Sequence, residues 1–169
     1  KSTDFIPVFH NWIQEKAVTD HLLIDVADYA HIPDGPGVML IAHEGYFSLD
    51  QESLQPGIMY MRKTEIEGDF KQRFNKVLST TIEVANSLHN NNINKDVQFI
   101  NNSFRFIAND RLYAENTEEN QELYKQEIQK ALNNIYTDNN LEFKDVSTEN
   151  ERLAFTVRLD NEINIFEEK

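Results

Sequence analysis

The residues best suited to chemistry are histidines and carboxylates between positions 28 and 44. Four of the five histidines come before residue 44, and two of them, His31 and His43, lie on either side of a glycine-rich turn and an apolar run. Asp28 and Glu44 stand close to them in sequence. Imidazole and carboxylate groups exchange protons or ligate divalent metals. The pattern therefore indicates acid–base or metal chemistry as one class of function, with His43 and Glu44 as the candidate catalytic pair.

The spacing of these histidines limits what they can do together. A strand rises about 3.3 Å per residue, so the segment from Gly37 to His43 spans roughly 20 Å when extended. A zinc ion binds a histidine nitrogen at about 2.0–2.1 Å, so His31 and His43 cannot share one ion. We therefore assign no metal ligands. A site at His43 needs groups from elsewhere, such as His10 or His21.

A tight turn is predicted at Asp34–Gly37, because glycine permits positive φ and proline fixes its own φ. Such a turn can bring backbone groups close to a ligand, and we expect Gly35, Gly37, His31 and Asp28 to be ligand-binding residues. The turn lacks a third glycine and precedes a strand, so it fits neither common nucleotide-binding loop. The sequence names no cofactor.

Hydrophobic periodicity predicts three amphipathic helices and about eight strands. The helices are expected at Thr3–Ala17, Asp69–His89 and Glu118–Tyr136, the last with a capping box formed by Asn116 and Glu119. The strands are expected at Leu22–Val26, Val38–Ala42, Tyr46–Leu49, Gly57–Met61, a hairpin over Val97–Ala108, and the pair Leu141–Val146 and Arg152–Asp160.

The order of these elements decides the fold class. Strands and helices occur in runs rather than in strict alternation, which favours α+β over α/β. The first four strands, joined by short turns, form an antiparallel meander in the simplest topology. We therefore predict one α+β domain over residues 1–169, with an antiparallel or mixed sheet covered by three helices.

Composition excludes several classes of function. The chain has 169 residues, a net charge of −13 and no cysteine. The negative charge repels phosphate backbones and anionic lipid surfaces, so we expect neither nucleic acid nor membrane as a partner. The lack of cysteine rules out disulfides and thiolate chemistry. No signal peptide is visible, so the expected location is cytoplasmic, although a removed leader is compatible with a chain that starts at Lys1.

Two functional interpretations follow from the sequence. The favoured one is a soluble binding or assembly module, with a homodimer or another protein as partner, because catalytic motifs are missing while structural patterning is complete. An exposed apolar patch on the sheet would support it. The alternative is a small enzyme or ligand-binding domain that uses acid–base or metal chemistry around the Asp34–Gly37 turn and His43 and Glu44.

Overall fold

The computed structural model describes residues 2–33, 35–50, 57–91, 99, 102–133, 140–145, 147 and 151–160. The α+β class is confirmed: three α-helices accompany two antiparallel sheets, of four and three strands. The sheet predicted as one is thus divided into two. Contacts divide the chain into two compact units, which we describe separately. Unit 1 comprises Lys1–Glu67 and Lys76–Phe99, and unit 2 comprises Gly68–Asn75 and Ile100–Lys169.

Unit 1 begins with a helical segment and continues as a four-stranded meander. A 3-10 turn, Ser2–Phe5, leads into α1, Ile6–Glu15, which contains Pro7 in its first turn, where a missing N–H is tolerated. The strands are β1 (Leu23–Tyr29), β2 (Gly37–Ala42), β3 (Gly45–Asp50) and β4 (Gly57–Arg62). They lie in the order β1-β2-β3-β4, each antiparallel to the next, as the short turns predicted.

The core of unit 1 lies on one face of this sheet. Phe9 and Trp12 of α1 are buried there against Leu40 and Phe47 of the central strands. Because alternate strand residues point to opposite faces, β2 and β3 send every second side chain into this core and the others to the outer face.

Helix α2, Phe70–Asn90, contributes residues to both units. In unit 1 its Val84 and Leu88 belong to the core. In unit 2 its Phe70 stacks with Phe74, at 5.8 Å between ring centroids, and packs edge-on against Tyr124 at 5.5 Å.

Unit 2 contains β5 (Ser103–Ile107), α3 (Glu118–Asn133), β6 (Leu141–Asp145) and β7 (Ala154–Leu159). The strands lie in the order β5-β7-β6, with both pairs antiparallel. Phe155 and Val157 of β7 are fully buried, as are Ile128 and Ala131 of α3. Of the predicted hairpin over Val97–Ala108, the second strand is present as β5, which pairs with β7; the first half lies largely outside the described residues, so the hairpin itself stays a prediction.

The N-cap of helix α3 is Thr117, one residue after the predicted cap, Asn116. Thr117 Oγ1 accepts the N–H of Asn120 at 3.3 Å, which is the bond of an N-cap. Asn116 is instead buried and donates to Ser147 Oγ at 3.1 Å.

Within the ranges given above, no helix is both long and apolar enough to cross a membrane.

Candidate functional site

His31 and His43 lie at opposite ends of the β1–β2 hairpin. Tyr29 pairs with Gly37 at one end and Leu23 pairs with Ala42 at the other. His31 follows β1 in an exposed turn, and His43 is exposed just beyond β2. The length of β2 keeps the two rings apart, so they do not form one site.

The predicted ligand-binding residues build the hairpin turn. Asp28 Oδ1 accepts the N–H of Ala30 at 2.9 Å, which commits one carboxylate oxygen to the turn. Gly37 has φ 63°, a conformation that few other residues adopt. The N–H of Gly35 donates to Ile32 O at 3.2 Å, and a Cβ at Gly35 would lie 2.9 Å from the Ile32 Cβ. Asp34 lies outside the described residues. Ligand binding by these residues stays a prediction.

Glu44 ties three segments of unit 1 together. Its Oε2 accepts the N–H of Leu22 at 2.8 Å, and its carbonyl oxygen accepts the N–H groups of Lys63 and Thr64 at 2.8 and 3.2 Å. Partial burial is the largest single influence and raises the pKa of Glu44. The backbone hydrogen bonds to Glu44, together with the nearby His21 and His43 rings, lower its pKa by more than burial raises it. The pKa of Glu44 therefore lies below its ordinary value. Glu44 therefore stays ionised at neutral pH and is a weak proton acceptor there.

A buried histidine, His21, has a hydrogen-bond partner at each ring nitrogen. Its Nδ1 lies 2.7 Å from the carbonyl oxygen of Thr19, and its Nε2 lies 2.7 Å from the hydroxyl of Tyr60. A carbonyl only accepts, so Nδ1 carries a proton, and Nε2 and the Tyr60 hydroxyl share the second hydrogen bond. Tyr60 in turn accepts from Arg62 Nη1 at 3.3 Å.

The environment of this network keeps the Tyr60 hydroxyl protonated. Burial, the largest influence, raises the pKa of Tyr60 above its ordinary value, and Arg62 offsets only part of that rise. The Tyr60 hydroxyl therefore remains a donor. The His21 ring also packs against Phe47, at 5.4 Å between centroids, and Phe47 stacks on Tyr60 at 4.6 Å. The arrangement satisfies a buried histidine fully.

Sequence reasoning named His21 only as one possible companion of His43, because its partner Tyr60 lies 39 positions away.

The segment before β1 is also held by contacts with α2. Thr19 Oγ1 donates to Glu83 Oε1 at 2.8 Å, and Asp20 forms an ion pair with Lys76 at 2.7 Å. Across the described ranges, no group of three or more histidine, aspartate or glutamate side chains could hold a metal ion.

The outer face of the unit 1 sheet is apolar and carries a buried hydroxyl. Cross-strand pairing places its side chains in two rows, Ile41–Tyr46–Met61 and Met39–Ser48–Met59. We call these six residues the methionine face. It contains all three methionines of the chain, and its five large residues are each half-buried.

Ser48 lies at the centre of its row and is 0% exposed. Its Oγ has no hydrogen-bond partner among the residues that the structure describes. Tyr46, two positions earlier on the same face, donates its hydroxyl to Met61 Sδ at 2.7 Å, and a thioether is a weak acceptor. The face therefore holds one unsatisfied hydroxyl and one poorly satisfied hydroxyl side by side.

Unit 2 presents a second apolar feature in the connection between β5 and α3. Leu112 is 94% exposed and Tyr113 is 86% exposed, the highest values among the large apolar side chains described. Asp110 Oδ1 accepts the N–H of Leu112 at 2.8 Å, and Asp110 O accepts the N–H of Ala114 at 3.0 Å. We call Asp110–Ala114 the leucine–tyrosine turn.

The leucine–tyrosine turn is anchored on both sides. Ala108 and Ala114 are buried, and the N–H of Ala108 donates to Leu153 O at 2.9 Å. The backbone is thus held while two large apolar side chains point into solvent. No sequence motif identifies such a turn, because its sequence resembles an ordinary polar connection with two apolar residues in it.

Comparison of the chain with protein-family models, curated proteins and solved structures found no match. The function therefore has to be argued from the residues themselves.

Proposed function

We propose that this chain is a protein-binding module whose leucine–tyrosine turn anchors the partner. The observation that carries the proposal is the exposure of Leu112 and Tyr113 on a backbone fixed by Asp110. Exposed large apolar groups are unfavourable in water unless a partner covers them, and tyrosine is enriched among residues that dominate binding energy. Because the turn is already ordered, little conformational entropy is lost when a partner binds.

The charges around the turn indicate what kind of partner fits. Five carboxylates and one guanidinium occupy residues 110–122. All five carboxylates are exposed: Asp110, Glu115, Glu118, Glu119 and Glu122. A second copy would bring the same carboxylates face to face, which is repulsive. The proposed partner is therefore a different protein with an apolar pocket rimmed by lysine or arginine.

A binding experiment with synthetic helical peptides tests this proposal. The first peptide has a leucine face flanked by lysines, and the second has the same leucine face flanked by glutamates. We expect the lysine peptide to bind and the glutamate peptide not to bind. In the Leu112→Ser/Tyr113→Ser variant, affinity for the lysine peptide should fall about tenfold to a hundredfold, measured by isothermal titration calorimetry.

The control variant is Leu123→Ser, which removes an exposed leucine of α3 that lies outside the turn. It should bind the lysine peptide as the unmodified protein does. Equal affinity in the double variant and the unmodified protein would overturn the proposal, as would equal binding of both peptides. Circular dichroism of each variant establishes that the fold is kept.

A second candidate function is acid–base chemistry in unit 1, which is favoured by one observation, the chain of hydrogen bonds from Arg62 through Tyr60 to His21. His43 and Glu44 remain its proposed catalytic pair. The low pKa of Glu44 counts against a base at neutral pH, so we rank this candidate second. Elemental analysis of untagged protein tests the metal-dependent form: one equivalent of zinc, iron or manganese per chain would favour it, and no metal would count against it.

A further inference from the structure

Strand β1 forms one edge of the unit 1 sheet and carries an inference that does not depend on the leucine–tyrosine turn. β1 pairs with β2 on one side, and no other strand of the described ranges pairs with it. Leu22, just before the strand, and Ile24 and Tyr29 within it are 63%, 56% and 40% exposed. Unpaired backbone groups beside exposed apolar side chains form a template on which a further strand can add. We call the side of β1 away from β2 the open edge.

The hydrogen bonds of β1 show which backbone groups point to the open edge. Hydrogen-bonded and non-bonded pairs alternate along an antiparallel ladder. The N–H of His43 donates to Leu22 O at 2.9 Å, which makes Leu22 a member of a bonded pair. The register shifts by one residue at Ile24, so the alternation is delayed by one position there. It follows that Val26 directs its N–H away from β2, to the open edge.

The outward N–H of Val26 is occupied by the side chain of Asp25. Asp25 Oδ1 accepts this N–H at 2.8 Å. Just beyond the strand, Asp28 Oδ1 accepts the N–H of Ala30 at 2.9 Å, and both aspartates are exposed. A strand that adds to the open edge needs the Val26 N–H for one of its own carbonyl groups, and it also has to approach two negative charges.

We propose that Asp25 closes the open edge of β1 and so keeps the protein from pairing with further strands, its own copies included. An added copy of β1 would have to displace Asp25 Oδ1 from the Val26 N–H. It would also bring its own Asp25 and Asp28 close to those of the first copy, which is repulsive. The extra residue at Ile24 adds to the effect, because a bulge twists an edge strand out of line with an incoming neighbour.

The bond to Val26 separates this role of Asp25 from a general contribution of charge to solubility. The chain has 29 acidic residues, and the loss of any one of them changes the net charge by the same amount. Glu15 is an exposed acidic residue of α1 and belongs to no strand. Glu15→Ala and Asp25→Ala are therefore matched in charge, and only Asp25→Ala frees a backbone donor at the open edge.

Sedimentation velocity over a dilution series tests the proposal, in enough salt to screen the charge of the chain. The unmodified protein and Glu15→Ala should stay dispersed. Asp25→Ala should associate with an apparent affinity at least about tenfold higher, because it loses both the competing hydrogen bond and the charge. Asp25→Asn keeps an oxygen that can accept the Val26 N–H but lacks the charge, so it should lie between the two. Circular dichroism of each variant establishes that the fold is kept.

Amide hydrogen exchange followed by NMR locates the association. In Asp25→Ala, exchange at Val26 should slow at least about tenfold as the concentration rises, because the strand of a second copy covers this amide. The double variant Asp25→Ala/Ile24→Lys places a cation on the same strand and should return to the dispersed state, since lysine is a common guard of edge strands.

Four results would overturn the proposal. They are Asp25→Ala as dispersed as Glu15→Ala, association without slower exchange at Val26, association that persists with Ile24→Lys, and slower exchange at Val26 when the unmodified protein is concentrated. Asp25→Asn, which keeps the size of the side chain, decides the matter if Asp25→Ala loses its fold, and an Asp25→Asn variant no more associated than the unmodified protein would then overturn it. Loss of peptide binding in the turn variant bears on the proposed function alone.

Discussion

The methionine face of unit 1 and the leucine–tyrosine turn of unit 2 are both apolar surfaces, but they differ in how charge surrounds them. The methionine face is broad, half-buried and free of charge, whereas the turn exposes two side chains within a ring of carboxylates. Apolar area alone therefore does not define a partner. Surrounding charge makes the turn suited to a basic protein, whereas the methionine face is partly covered by the chain itself and has a fully buried residue at its centre.

The largest expected effect is that of a charge placed on the methionine face. Met59→Glu would put a carboxylate beside the fully buried Ser48, where it loses water without a positive partner among the residues of the face. We expect the free energy of unfolding in a urea titration to fall by about 2–4 kcal/mol, with lysine-peptide binding at the turn unchanged. A Met59→Glu variant as stable as the unmodified protein would show that this face is open to solvent.

The next effect concerns the sheet that carries the methionine face. A Cβ at Gly45 would overlap the carbonyl oxygen of Met61 and lie 2.9 Å from the Tyr60 ring, whereas one at Gly57 would meet nothing within 4 Å. Gly45→Ala should therefore lower the free energy of unfolding by about 1–3 kcal/mol. Gly57→Ala is the matched control, and urea titration measures both. Equal stability of the two variants would contradict the close β3–β4 packing.

Salt should act on the turn, because the turn is the apolar surface that carboxylates surround. Added NaCl should weaken binding of the lysine peptide to the turn by about tenfold, since it screens the attraction between the lysines and the carboxylates of residues 110–122. Calorimetry over a salt series measures the effect. Binding that does not change with salt would mean that charge does not select the partner of the turn.

The smallest effect is the pH dependence that comes from Glu44. Its folded pKa lies below the ordinary value of 4.5, so it stabilises unit 1 above that pH and loses this contribution as pH falls through the folded pKa. Thermal unfolding should find Glu44→Gln less stable than the unmodified protein at neutral pH, with the gap closing in acid. Peptide binding at the turn should not depend on this substitution. A gap that persists unchanged in acid would contradict the assignment.

Local signals in the sequence were enough to predict the meander of unit 1. Glycine and proline mark the turns before β2 and β4, and the apolar runs between them have strand length. The methionine face was harder to anticipate, because Val38–Ala42 is apolar throughout and hides which alternate residues face outward. Only the register shows that Met39 and Ile41 share a face with Ser48.

Features that depend on distant residues could not be predicted. His21 and Tyr60 are 39 positions apart, so no spacing rule joins them. In unit 2, β5 has alternating phenylalanines that fit a hairpin with the preceding residues equally well. The N-cap of α3 is Thr117 rather than the predicted Asn116, because Asn116 is buried and hydrogen-bonds to Ser147, which lies 31 positions away in the sequence.

The two sheets also differ in the order in which they can form. Each strand of the meander pairs with its neighbour in sequence, and its most distant pair, Leu23 with Ala42, is 19 positions apart. β5 pairs with β7, and Ser103 has to find Arg158, about 55 positions further on. Pairings of that kind are slow, because a long loop must close first. Until β7 arrives, Phe104 and Phe106 lie on a strand that lacks this partner, and exposed apolar strands of that kind favour aggregation during folding.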